Sequence, residues 1–168
     1  VSQVALCGLD YPGLKPRVLV AEGDQVGPLD ALFVDKRDPA VQYCATGKGK
    51  VVSVNRGARR VLHTVVVDLE SAEGEEPVFD ALDNAHSAML QREEIVERLL
   101  KTGMWTAFRT RPFSCVPRSD SSPQAIFVTA MDTRPLAPDP MVTIRLEAEA
   151  FTAGLKILPK LTNGAINL

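Results

Sequence analysis

Apolar positions in the first seventy residues come in short runs that alternate with polar ones and are cut by Gly, Pro and charged turns. Val18-Leu19-Val20 leads into the acidic turn Glu22-Gly23-Asp24-Gln25-Val26-Gly27, and Leu32-Phe33-Val34 leads into the charged turn Lys36-Arg37-Asp38-Pro39. Val41-Gln42-Tyr43-Cys44 alternates, Gly47-Lys48-Gly49 reads as a hairpin-like turn, and residues 50–55 run into the turn Arg56-Gly57-Ala58-Arg59. Residues 61–69 are a long β-branched run. β-Branched and aromatic side chains suit a pleated, half-buried surface. Five strands at short spacing are therefore predicted, as in a small barrel or sandwich.

The period then changes. Ser71-Ala72-Glu73-Gly74-Glu75-Glu76-Pro77 opens an acidic linker over residues 71–91. Over residues 92–102, Ile95, Val96, Leu99 and Leu100 share one face of a predicted helix, with Gly103 where a C-terminal cap belongs. Residues 125–130 are a compact apolar run between Pro123 and Asp132, which reads as a buried parallel strand. A Pro-rich loop follows, then a predicted helix over about residues 141–158 that turns Ile144, Phe151, Leu155 and Leu158 inward and ends at Pro159. Strand, loop, helix and the beginning of another strand at 164–168 are the opening of a Rossmann-like α/β domain. The expected class is α+β / α/β. Residues 1–70 form a β domain, 71–117 a linker, helix and aromatic/Arg connector, and 118–168 the truncated start of the α/β domain.

Composition narrows the function more by exclusion than by assignment. The 168 residues carry 19 basic and 21 acidic side chains, a net charge of −2. No general attraction to nucleic acid is expected from that balance, and no apolar run has the length to cross a bilayer. Neither end reads as a natural terminus, so a fragment of a longer chain is expected. Cys7, Cys44 and Cys115 are far apart, odd in number and without C-x-x-C or zinc spacing, so reduced thiols are expected rather than metal ligands. His63 and His86 are isolated.

The turn after the apolar run, Met131-Asp132-Thr133-Arg134-Pro135-Leu136-Ala137-Pro138, contains no glycine. A backbone without glycine there cannot approach a pyrophosphate closely, which argues against NAD or flavin at this turn. Gly47-Lys48-Gly49-Lys50 lacks P-loop spacing. Asp132 and Arg134 sit where α/β folds place ligands; they either bind a polar group or pair with each other, Arg109 or Arg111. Residues 103–117 hold the sole Trp, two Phe and two Arg. Two readings stay open. Trp105, Phe108 and Phe113 line an apolar site for a planar ring, with Arg109 or Arg111 at its polar edge; or the aromatics wedge the helix and both domains together while the arginines cap backbone carbonyls. No Ser-His-Asp, paired-carboxylate or Cys-His arrangement can be assembled, so no catalytic residue is assigned.

The order Val20-Ala21-Glu22-Gly23-Asp24-Gln25-Val26, strand, charged tip, strand resembles the biotinyl/lipoyl-type barrel-sandwich hybrid. Carriers of that family present a modified Lys at the tip. Here Lys36 stands between Asp35 and Arg37, a departure from the modified motif, and no carrier role is expected.

Residues 103–117 and 125–136, with Val4-Ala5-Leu6-Cys7-Gly8, Leu32-Phe33-Val34-Asp35-Lys36, residues 54–62 and Ser121-Ser122, resemble the A-subunit family of the bacterial sodium-translocating NADH:quinone oxidoreductase. The likeness covers nearly the whole chain. It implies a peripheral component on the cytoplasmic face of the inner membrane. The implied partners are the pump's membrane subunits, especially the quinone-reducing B subunit, and ubiquinone, the planar ring for which Trp105, Phe108, Arg109, Arg111 and Phe113 are the candidate contacts. It implies no cofactor in this chain, since NADH, flavins and the iron centre belong to other subunits. It also implies a fold similar to the flavin subunit of respiratory complex I and the C subunit of the Rnf complex, without their flavin, NADH and iron–sulfur motifs.

Overall fold

The computed structural model describes residues 1–70, 89–132 and 135–168. The acidic stretch 71–88, His86 and Arg134 therefore lie outside the described residues. Two compact units result, one holding residues 1–70 and 96–120, the other residues 89–95 and the described part of 121–168.

In the first unit the strands are β1 (Gln3–Cys7), β2 (Pro16–Val18), β3 (Gln25–Val26), β4 (Ala31–Asp35), β5 (Asp38–Cys44), β6 (Gly49–Arg56) and β7 (Leu62–Leu69). They form two antiparallel sheets, ordered β1-β7-β6-β3 and β2-β4-β5. Four of the five expected strand segments are present; the one expected over Val18-Leu19-Val20 is shifted, since β2 ends at Val18, and β1 and β3 are additions. β3 is two residues long, too short to leave a periodic signal, and exists because Gln25 and Val26 pair with Lys50 and Gly49. The Gly47-Lys48-Gly49 turn does not close a hairpin: β5 and β6 belong to different sheets, so it carries the chain from one to the other.

Val26, Leu32, Phe33, Val41, Tyr43, Ala45, Val51, Leu62, Val65, Val67 and Trp105 form the buried core. Leu62 and Val65, three apart, both point inward, which strict alternation forbids. A register shift resolves this: Asn55 pairs with Thr64 but Arg56 pairs with Leu62, so His63 is an extra residue on β7. The β4–β5 hairpin closes on Lys36 and Arg37 alone, with Asp35 opposite Asp38. At the other end of the unit, β6 and β7 are joined by a 3-10 turn (Ala58–Arg60) in which Arg59 and Arg60 both adopt left-handed backbone angles.

Helix α1 (Arg92–Lys101) forms as expected, with Glu93 and Glu94 in its first turn and Arg98 and Lys101 in its last, matching the helix dipole. Val96, Leu99 and Leu100 pack on the core of the first unit. Gly103 follows with φ 70°, the left-handed cap that glycine supplies without steric cost.

In the second unit, β8 (Ala125–Phe127) and β9 (Ala165–Asn167) pair in parallel, Ile126 opposite Ile166. Two helices lie between them in sequence, α2 (Pro140–Leu146) and α3 (Ala148–Ile157), so the unit is a βαβ crossover. Asp139 caps α2 by accepting from the Met141 amide, with Pro140 at the first helical position. The single helix expected over 141–158 is broken at Glu147 (φ −117°, ψ 37°). β8 is shorter and more open than the buried strand expected over 125–130. Ile126 is half-buried and Phe127 is 67% exposed. Leu90, Ile95, Leu161 and Thr162 are the unit's buried residues among those described.

Candidate functional site

After Gly103 a 3-10 turn (Met104–Ala107) drops Trp105 into the core of the first unit, where it is 4% exposed. Its indole N–H donates to the Pro117 carbonyl at 2.9 Å, and Phe108 packs edge-on at 5.4 Å. The Thr110 amide and hydroxyl both donate to the Cys115 carbonyl, at 2.8 and 3.1 Å, and the Ser114 amide donates to Thr110 at 2.8 Å, closing residues 110–115 into a loop. Arg109 stacks over Tyr11, 4.9 Å from the ring centroid, and donates to the carbonyls of Thr106 and Phe108. Arg111 is exposed and Phe113 is 77% exposed on the loop. The five connector residues singled out in the sequence thus take three positions: Trp105 and Phe108 inward, Arg109 against Tyr11, Arg111 and Phe113 outward.

Beside this connector lies a cleft of about 310 Å³. The β4–β5 hairpin contributes Asp35, Arg37, Asp38, Val41 and Tyr43 to one wall, and the connector contributes Thr110, Cys115, Val116, Pro117 and Arg118 to the other. The walls are tied at one end, where Asp38 accepts from the Ser119 amide at 2.7 Å and from its hydroxyl at 3.1 Å. The Arg37 guanidinium forks onto Asp35 at 2.7 and 3.2 Å and donates to the Gly13 carbonyl at 2.6 Å. Arg118 forks likewise onto Asp120, at 3.0 and 3.1 Å.

The electrostatics follow from these contacts. Burial works to raise the Asp35 carboxyl, but hydrogen bonds and charge from Arg37, with a backbone bond at Lys15, prevail and hold it below the usual carboxylate value. Tyr43 stacks on Phe33 at 4.7 Å and meets Tyr11 edge-on at 4.6 Å. Burial, then the nearby Asp35 and Tyr11, push its phenol upward, so it stays protonated. Burial and then Asp30 push the Cys44 thiol up to about 11, which makes it a poor nucleophile at neutral pH. Cys7, Cys44 and Cys115 are all free, and among the described residues no group of three His, Cys, Asp or Glu is placed to hold a metal ion. Apolar and aromatic walls with a rim of paired charges suit a small planar molecule with polar edges.

The whole-chain pattern has counterparts among known proteins. A family model described as "NqrA N-terminal barrel-sandwich hybrid domain" matches residues 1–70, and one described as "NqrA second alpha/beta domain" matches residues 90–168. The chain is 48% identical over 168 residues to the A subunit of the Na(+)-translocating NADH-quinone reductase of Serratia proteamaculans (strain 568), covering 100% of this chain and 37% of that relative. It is 49% identical over 167 residues to the corresponding protein of Vibrio alginolyticus, covering 99% and 37%. The chain belongs to the family of Na(+)-translocating NADH-quinone reductase A subunits. It spans 37% of the length of these curated relatives.

The barrel-sandwich half of this A-subunit family accounts for the hairpin tip. Lys36 is exposed there and donates its amide to the Lys15 carbonyl at 2.8 Å, while its charged neighbours Asp35 and Arg37 are bound to each other. The sequence reading missed Tyr43, Tyr11 and the Asp38–Ser119 tie. Tyr43 had a signal, as an inward position on an alternating strand; the Asp38–Ser119 contact spans 81 residues and had none.

Proposed function

We propose that this chain acts as an accessory, non-catalytic part of the A subunit in a Na(+)-translocating NADH-quinone reductase. It lies at the cytoplasmic face of the membrane and docks to the pump's membrane subunits, above all the quinone-reducing B subunit. The observation that carries this reading is identity of nearly half over the whole chain to relatives that bear the A-subunit name. The geometry supports a structural use of the connector, since Trp105, Phe108 and Arg109 are engaged in packing, backbone bonds and ring stacking. NADH, flavin and iron chemistry belong, in this reading, to other subunits. No described helix is long and apolar enough to cross a membrane.

The test is a pull-down from detergent-solubilised membranes of a bacterium that carries the pump, with this chain as bait and mass spectrometry as readout. Recovery of the pump's membrane subunits, weakened in Arg109→Ala/Arg111→Ala, is expected. Failure with a folded bait, while the full-length A subunit captures them in parallel, refutes docking through this chain.

A second reading, a quinone-binding module, is favoured by the cleft beside the connector. Its volume of about 310 Å³ and its Val41, Tyr43, Val116 and Pro117 walls suit a ring of that size. Pro117 also accepts from Trp105, so an occupant there reports on the only indole. Saturable quenching of Trp105 by short-chain ubiquinone, lost when the cleft is filled in Val116→Phe, supports this reading, and linear, non-saturating quenching removes it.

A further inference from the structure

The hairpin end between β6 and β7 concentrates positive charge on a strained backbone. Arg56, Arg59 and Arg60 are exposed, three of the chain's 19 basic side chains within five consecutive residues, although the chain carries a net charge of −2. Arg59 and Arg60 take φ values of 55° and 62°, positions that Gly or Asn fills at lower cost. The backbone there is firmly specified. The Gly57 amide donates to Val61 at 2.8 Å, the Arg60 amide to Gly57 at 3.1 Å and the Val61 amide to Ala58 at 3.3 Å. A side chain at Gly57 would place its Cβ 2.2 Å from His63 Nε2, so the ring sits directly over that glycine. Val61, 45% exposed, adds an apolar contact at the same end. Consecutive arginines held at unfavourable angles suggest a use for their guanidinium groups, because strained positions persist where function requires them.

We infer that this Arg56/Arg59/Arg60 tip rests on anionic phospholipid headgroups at the membrane surface. The inference relies on the proposed function only in placing the chain beside a membrane. Guanidinium forks match phosphate oxygens. Attraction to an anionic leaflet accumulates with each basic residue near the surface and needs no shaped pocket. A stable protein partner, in contrast, needs about 800 Å² on each side, which one tight turn does not present.

Flotation of the 168-residue chain with vesicles of phosphatidylglycerol and phosphatidylcholine, against pure phosphatidylcholine, tests this at low salt. The expected result is binding to the anionic vesicles alone, weakened by physiological salt. Each Arg→Gln change should weaken binding about five-fold, and R56Q/R59Q/R60Q on the order of a hundred-fold. The charge-matched variant K15Q/K36Q/K156Q should leave it unchanged, with circular dichroism checking the fold of both. No binding by the parent chain overturns the inference, as does an equal loss in the lysine variant. Loss of pump-subunit capture by R56Q/R59Q/R60Q without any vesicle binding also overturns it, and assigns the tip to an acidic protein surface. Pure lipid contains no pump protein. Failed flotation with a successful pull-down therefore removes this inference alone, and the reverse outcome removes only the docking reading.

Discussion

In the first unit β7 lies between β1 and β6 and buries Leu62, Val65 and Val67, whereas in the second β8 pairs with β9 and leaves Phe127 67% exposed. Antiparallel strands joined by tight turns can close a core from local pieces. Parallel strands usually sit buried on both faces, and a two-stranded sheet contributes little stability by itself. The second unit relies instead on side chains that reach backbone carbonyls. Thr162 donates to Pro123 at 2.6 Å, Lys160 to Leu90 at 2.8 Å and Arg92 to Ser121 at 2.8 Å. The difference teaches that one unit is held by packing, while the other depends more on polar ties that water can compete for.

The sole Trp lies in the first unit, so its emission reads that unit separately. The sharpest way to break the comparison is Phe33→Ala, which empties a fully buried site. It should destabilise the first unit by about 3–5 kcal/mol, seen as an earlier Trp105 unfolding transition. An unmoved transition would refute packing as the main support. Next in size is Gly103→Ala, expected to cost about 2 kcal/mol, because φ is 70° and the new Cβ would sit 3.0 Å from Cys44 Sγ. Asp38→Ala should cost about 1–2 kcal/mol and speed hydrogen exchange at the Ser119 amide. A glycine-to-alanine change at Gly154, in α3 with nothing within 4 Å of the added Cβ, should stabilise the second unit by up to about 1 kcal/mol without altering Trp105 emission. The smallest effect concerns pH. With its folded value lowered, Asp35 contributes stability that is present above about pH 4 and lost as pH falls through that lower value. Arg37 is half-exposed, so the contribution stays below about 1 kcal/mol. Acid titration of Asp35→Asn should show a correspondingly shallower loss of stability below about pH 4.

Much of this organisation was legible in the sequence where the signal was local. The β-branched run of β7, the apolar positions Val96, Leu99 and Leu100 of α1, the cap at Gly103 and the parallel βαβ order all follow from period and turn chemistry. The spacing that grouped Ile95 with Leu99 did not show that Ile95 is buried in the second unit. The short β3 was not legible, because it is defined by its partner rather than by its own residues. The break at Glu147 was missed since the apolar spacing of Ile144, Phe151 and Leu155 continues across it. Composition singled out the connector, yet only the Trp105–Pro117 bond and the Thr110–Cys115 loop determine which of its side chains point inward. The cleft was invisible for a simpler reason: its two walls come from distant parts of the chain.

That distance has a consequence for how the protein is made. Asp38 meets Ser119 across 81 residues, and the core of the first unit includes Trp105. A ribosome that has released only the seven strands has therefore delivered a sheet pair still lacking its indole, with the β5 side of the cleft facing water. The unit can close only after synthesis has passed through the opening residues of its neighbour, so the two units are interleaved in time as well as in sequence.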